Sequence, residues 1–124
     1  MINHLSIGVT SVRNAKKFYD AALGALGYQC LFHDASTLGY GDKSPVFWVY
    51  ELKDAKAGEA RPGLHVCFDA KSTTAVDTFH AAGLQGGGKD NGAPGVRKDY
   101  SPSYYAAFLT DPDGYRLEAY CDKG

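Results

Sequence analysis

His4-Leu5-Ser6-Ile7-Gly8-Val9 and His65-Val66-Cys67-Phe68-Asp69-Ala70 open two stretches of the same kind in this chain of 124 residues, the second 61 residues after the first. Seven residues beyond each histidine stands a serine, Ser11 and Ser72. Fourteen beyond each stands a phenylalanine, Phe18 and Phe79, in an alanine-rich stretch that reads as helix. Self-similarity at one offset marks two copies of one supersecondary unit. Each copy starts a strand with a histidine, and equivalent histidines of two halves can meet at the seam between them.

Working outward from these openings, residues 2–9 alternate and are rich in β-formers, which predicts a strand. Ser11 then suits a helix N-cap, its hydroxyl accepting from an otherwise unpaired backbone N–H. Val12, Ala15, Phe18, Ala22 and Leu26 follow at helical spacing, and Gly24 and Gly27 end the helix. Residues 28–33, 36–40 and 45–52 read as three more strands, with Gly-Asp-Lys-Ser-Pro at 41–45 as a turn. Polar residues 53–62 read as a linker between modules 1–58 and 61–124 of one domain, 1–124. In module two a strand at 63–69 leads to a helix capped by Ser72, with Ala75, Val76, Phe79 and Ala82 on one side. Gly83 and Gly86-Gly87-Gly88 close that helix. Lys89–Ser103 is polar and rich in Gly and Pro, and reads as a long irregular loop, a candidate lid. Tyr104–Thr110 and Tyr115–Cys121 read as strands around the tight turn Asp111-Pro112-Asp113-Gly114. The fold class is α+β: two βαβββ modules forming a curved mixed sheet, with helices on the outer face and a cavity inside.

Composition excludes several classes. The formal net charge is −1 and the basic residues are not clustered, so no nucleic-acid surface is expected. No apolar run reaches the length of a membrane span. Met1-Ile2-Asn3-His4 lacks the basic-then-apolar pattern of a secretory signal. The three scattered cysteines, Cys30, Cys67 and Cys121, read as reduced thiols, which places the protein in the cytoplasm. There is no nucleophile elbow, P-loop or dinucleotide fingerprint.

Strand alternation puts His4 with Ser6 on one face, His65 with Cys67 on the corresponding face, and Arg116, Glu118 and Tyr120 together on the last strand. Glu118 is a lone carboxylate in an apolar, aromatic strand. Facing inward, it must be hydrogen-bonded, ion-paired or metal-bound. Two imidazoles and one carboxylate, His4, His65 and Glu118, make a facial set that leaves positions for water and substrate. The plainer alternative pairs Glu118 with Arg116 on a solvated face and leaves each histidine a hydrogen-bonded structural residue. Spacing alone does not choose between the two. His33 and His80 read as surface residues, and Cys67 as core filler.

The chain resembles the vicinal-oxygen-chelate superfamily, also called the glyoxalase/bleomycin-resistance/dioxygenase superfamily. The resemblance rests on Asn3-His4-Leu5-Ser6-Ile7-Gly8-Val9, Ala15-Lys16-Lys17-Phe18-Tyr19 and Gly63-Leu64-His65-Val66. Its most specific part is Phe108-Leu109-Thr110-Asp111-Pro112-Asp113-Gly114-Tyr115-Arg116-Leu117-Glu118-Ala119, with the pattern Asp-Pro-Asp-Gly-x-x-x-Glu. It implies a glyoxalase-like fold of paired modules, a homodimer, and a divalent metal ion (Zn, Ni, Mn or Fe) held by His4, His65 and Glu118. Glyoxalase I has a fourth ligand, a glutamate on the last strand of module one. By the Val46-Phe47-Trp48-Val49 segment that place falls on Trp48, so standard glyoxalase I activity is not expected. The remaining set is similar to that of extradiol dioxygenases and of fosfomycin-modifying thiol transferases. The latter carry a hydroxyl residue two after the first histidine, here Ser6, and a Lys-x-Asn near Lys89 and Asn91. The implied protein is a metal-dependent lyase, isomerase or thiol-adding enzyme acting on a small oxygen-bearing substrate by Lewis-acid chemistry. Candidate catalytic residues beside the metal are Ser6 and Tyr104. Candidate substrate contacts are Trp48, Tyr50, Lys89, Asn91, Arg97, Tyr105, Arg116 and Tyr120. The alternative from another class is a metal-free drug-binding protein of the bleomycin-resistance type.

Overall fold

Ser11 and Ser72 start the two helices in the same way. The Ser11 hydroxyl accepts from Asn14 N at 3.2 Å, and that of Ser72 from Ala75 N at 3.1 Å. Helix α1 spans Val12–Gly24 and α2 spans Thr73–Gln85. In this computed structural model, which describes residues 1–56 and 63–123, eight strands accompany them. They are β1 (Leu5–Val9), β2 (Gln29–His33), β3 (Thr37–Gly41), β4 (Pro45–Glu51), β5 (His65–Asp69), β6 (Lys89–Val96), β7 (Tyr104–Thr110) and β8 (Arg116–Asp122). The order is βαβββ twice over. The linker reading at 53–62, and with it the boundary between modules, lies largely outside the described residues.

Each module folds into its own four-stranded mixed sheet, ordered β1-β4-β3-β2 and β5-β8-β7-β6. The first and last strands of each module run parallel at one edge, and the remaining neighbours are antiparallel. One face of each sheet is covered by helix. Leu5, Ile7 and Val9 of β1 turn toward the core, as do Phe47 and Val49 of β4 and Leu117, Ala119 and Cys121 of β8. Helix α1 buries Val12, Ala15, Phe18, Tyr19, Ala22 and Leu23 on one stripe, and α2 buries Val76, Phe79 and Gly83. The helices pack on each other, so the two modules share one core. Gly83 permits the approach: a Cβ there would lie 3.3 Å from the Phe18 ring and closer still to Leu109.

The reading of Lys89–Ser103 as loop is overturned. Its first eight residues form β6, the outer strand of the second sheet. Two bulges interrupt its pairing with β7, around Gly92 and before Gly95. An edge strand needs no apolar alternation, and bulges accommodate Gly and Pro. The composition that suggested a loop is that of a bulged edge. Only residues 97–103 remain as a connection.

Candidate functional site

Glu118 is the residue around which a site forms. It stands mid-strand in β8, opposite Cys67 of β5 on one side and Phe108 of β7 on the other. It lies on the sheet face away from the helices, yet only 3% of it is exposed. Two partners account for that. His65 Nε2 lies 3.0 Å from Oε1, and the Tyr104 hydroxyl donates to Oε2 at 2.5 Å. A carboxylate only accepts, so Nε2 carries the hydrogen in the first pair. The His65 side chain is 53% exposed and forms the open side of the pair. The plainer expectation, Glu118 with Arg116 on a solvated face, is thus overturned, since the carboxylate is buried and its partners are His65 and Tyr104.

Tyr104 reaches Glu118 by lying along the sheet. Its backbone sits opposite Asp122, and its ring packs on Tyr120 at 4.1 Å and on Tyr100 at 4.9 Å between centroids. Desolvation and the bond to Glu118 push its hydroxyl well above the usual tyrosine range. Cys67 faces the same way. Crowding around its sulfur pushes the thiol up to about 12, and the neighbouring Glu118 adds to this, so Cys67 stays protonated. A cavity of about 350 Å³ opens over the pair, lined by His65, Asn91, Tyr100, Phe108, Arg116 and Glu118 among others.

His4 is elsewhere. It precedes β1 in the first sheet, is exposed, and has Nδ1 2.7 Å from Asn3 Oδ1. Among the described residues of one chain, no three of His, Cys, Asp and Glu come together as a cation site. Imidazole and carboxylate are suitable donors for a divalent ion, but His65 and Glu118 are two, and a protein site uses three or four. The donor chemistry fits a metal. The single chain leaves the set short by one.

The rest of the first sheet's outer face is aromatic. Trp48 packs near-parallel to Tyr50 at 6.4 Å and against Phe32 at 5.7 Å. Gly39 makes room for the indole, since a Cβ there would sit 2.7 Å from Trp48 Cζ3. Register identifies the Trp48 position. Ser6 pairs with Trp48, and Cys67 pairs with Glu118. Ser6 and Cys67 each follow their repeat's histidine by two, so Trp48 holds in sheet one the place that Glu118 holds in sheet two.

No family model matches the sequence, and no curated protein matches it. Solved structures do. The chain is similar to a glyoxalase/bleomycin resistance protein from Albidiferax ferrireducens T118, with 33% identity, a TM-score of 0.82 and 95% of each chain covered. The chain belongs to the glyoxalase/bleomycin resistance protein family. The fold is shared more widely. A glyoxalase-related enzyme from Fulvimarina pelagi is 13% identical with a TM-score of 0.75, covering 97% of this chain and 86% of that one. A glyoxalase/bleomycin resistance protein/dioxygenase family enzyme from Burkholderia phytofirmans PsJN is 15% identical with a TM-score of 0.72, covering 96% of each.

Within this family member, several residues singled out from sequence lie away from the cavity. Arg97 spends its guanidinium on β6: Nη1 donates to Gly95 O at 3.0 Å and Nη2 to Ala93 O at 2.7 Å, over the Phe108 ring. It braces the bulge. Tyr105 alternates to the opposite face from Tyr104 and donates to Asp77 of α2 at 2.6 Å. Lys89 sits at the start of β6 opposite Thr110 and is not among the residues lining the cavity. Ser6, Trp48 and Tyr50 belong to the other sheet. His80 is not the surface residue expected: its side chain is 12% exposed and pairs with Asp90 at 2.8 Å. Glu51 accepts from Val12 N at 2.9 Å and so anchors the start of α1.

Sequence reasoning missed the work of Asp111 and Asp113, which it took for turn residues only. Asp111 is 2% exposed. Its Oδ1 accepts from Asp113 N and Tyr115 N, both at 2.9 Å, and its Oδ2 accepts from the Tyr19 hydroxyl of α1 at 2.6 Å. Asp113 Oδ2 accepts from Thr10 N at 3.1 Å, and the Tyr115 hydroxyl donates to Gly8 O at 2.8 Å. The turn therefore clasps module one while it launches β8 and Glu118. Burial raises the Asp111 carboxyl above its ordinary value, against the opposing pull of its hydrogen bonds. Two aspartates in a turn between apolar strands were the available signal.

Proposed function

We propose that this family member is a divalent-metal-dependent enzyme acting on a small oxygen-bearing substrate, with each site completed by a second copy of the chain. His65 and Glu118 of one copy and His4 of the other would be the ligands. The observation that carries this reading is the pairing of His65 with a buried Glu118 at a cavity, while the equivalent histidine stands exposed at the foot of a second, uncovered sheet face. A symmetric dimer brings a face of one kind against a face of the other twice over, the commonest arrangement of soluble oligomers. The wall opposite the cavity would then be Ser6, Trp48 and Tyr50.

The ion, when bound, supplies Lewis-acid stabilisation of an oxyanion on the substrate. The chain's own residues do the rest. Arg116 and Asn91 at the cavity wall offer N–H donors to substrate oxygens. Tyr100 and Phe108 provide an aromatic surface that excludes water, and Tyr120 backs it through the Tyr104 ring. Trp48, at the place matching Glu118, offers no carboxylate as fourth ligand or proton carrier, so the reading favours addition, lyase or isomerase chemistry other than standard glyoxalase I. The thiols Cys30, Cys67 and Cys121 are unpaired, which supports a reducing, cytoplasmic setting.

A second reading, a metal-free drug-binding dimer, draws support from the aromatic row Phe32, Trp48 and Tyr50, whose two ends are exposed. Metal content separates the two. The purified dimer should retain about one ion per chain. His4→Ala and Glu118→Gln should each lose it, and mixing the two variants should restore it in part, because one intact site forms in the mixed dimer. Absence of metal uptake by the wild type supports the binder, and absence of recovery on mixing rules out sites shared between copies.

A further inference from the structure

We propose that Tyr104 is a positioning residue that leaves Glu118 only Oε1, the oxygen on the His65 side, making it a one-oxygen donor to a bound cation. The inference rests on the reading of Glu118 as a metal ligand. Glu118 is buried, and its two oxygens meet different surroundings. Oε1 accepts at 3.0 Å from Nε2 of the half-exposed His65, a group that would itself turn to the ion, while Oε2 accepts at 2.5 Å from the Tyr104 hydroxyl, which would not. The Tyr104 ring is held in place by packing on Tyr120 at 4.1 Å and on Tyr100 at 4.9 Å. It is not among the residues lining the cavity, so the sequence-based assignment of Tyr104 as catalytic gives way to a role exerted through Glu118.

The chemical consequence is selectivity among ions. A carboxylate whose second oxygen is held by an O–H donor cannot chelate with both oxygens. One-oxygen coordination suits a compact ion with few ligands, such as Zn²⁺. Larger ions of the Ca²⁺ type take more oxygens, often two from one carboxylate. Hydrogen bonds to ligating groups orient them, and their loss commonly weakens metal binding by about 10–100-fold. Removing the Tyr104 hydroxyl frees Oε2 without moving the strand that carries it.

The test uses the intact dimer with Co²⁺ alone as probe, since its visible bands weaken as coordination number rises. Tyr104→Phe should give weaker visible bands than the wild type and bind Co²⁺ about 10–100-fold less tightly. Glu118→Gln, which removes the anionic ligand, should take up no Co²⁺ with or without the Tyr104 change. Bands and affinity identical to the wild type overturn the proposal. If the wild type takes up no Co²⁺, the metal reading itself fails, and the Tyr104 assignment is decided on the metal-free protein. There, urea unfolding of the two single variants and the double variant should show coupling of about tenfold or more in the unfolding constant. Independent, additive effects overturn the assignment.

Discussion

At the scale of single residues, two positions carry most of the meaning. Tyr19 is wholly buried and donates to Asp111 across the junction of the modules. Tyr19→Phe leaves a buried carboxylate oxygen without its donor, which should lower unfolding stability by about 1–3 kcal/mol. Chemical denaturation measures this directly, and an unchanged midpoint would mean that water replaces the hydroxyl. Trp48 is the second position. Its register match to Glu118 puts an indole, which neither ligates nor carries a proton, where the proposed metal site would need a further carboxylate for glyoxalase I chemistry. Turnover of the glutathione hemithioacetal of methylglyoxal should therefore be low or absent in a direct spectrophotometric assay. Robust activity would require another carboxylate to act, and Glu51 is already committed to α1.

At the scale of elements, the turns and caps make the two modules alike. The β3–β4 turn is the tightest of these. A methyl group at Gly41 would land on the Ser44 carbonyl, which is backbone and cannot rotate aside. Gly41→Ala should cost about 1–3 kcal/mol as an overpacked site. Gly24→Ala is the matching control, because nothing lies near a Cβ there. A thermal melt in which both variants match the wild type would show that the turn rearranges freely. The periodic elements were legible because they have a buried face: Val12, Ala15, Phe18 and Ala22 mark α1, and Leu5, Ile7 and Val9 mark β1. β6 was not legible, because Lys89-Asp90-Asn91-Gly92 pairs through its backbone and buries almost nothing.

At the scale of the whole molecule, the outstanding feature is what a single chain leaves uncovered. Phe32 and Tyr50 are 44% and 40% exposed on the sheet face that also holds Trp48. The proposed dimer would cover that face. Tyr50→Lys places a charge within it and should shift the protein to monomer in light scattering at micromolar concentration, with the far-ultraviolet spectrum unchanged. Retention of the dimer would show that the sheet face is not its interface. In the described residues no helix is long and apolar enough to cross a membrane.

The repeat of His4 and His65, the two serine caps and the strand phases followed from local chemistry, since periodicity and capping depend on neighbours a few residues apart. Those features sufficed for the βαβββ order of module one, and for putting Glu118 with Arg116 and Tyr120 on one face of the last strand and His65 with Cys67 on one face of theirs. Which of them touch is a tertiary matter. The face could not say that Tyr104 would lie along the sheet to reach Glu118, or that Arg97 would turn back onto the carbonyls of Ala93 and Gly95. Nor could it say that Asp111 would find Tyr19, 92 residues away. The separation of His4 from Glu118 is likewise set by how the modules pack. A two-fold sequence repeat shows that two histidines are equivalent, but packing through α1 and α2 decides that one chain presents them on different sheets.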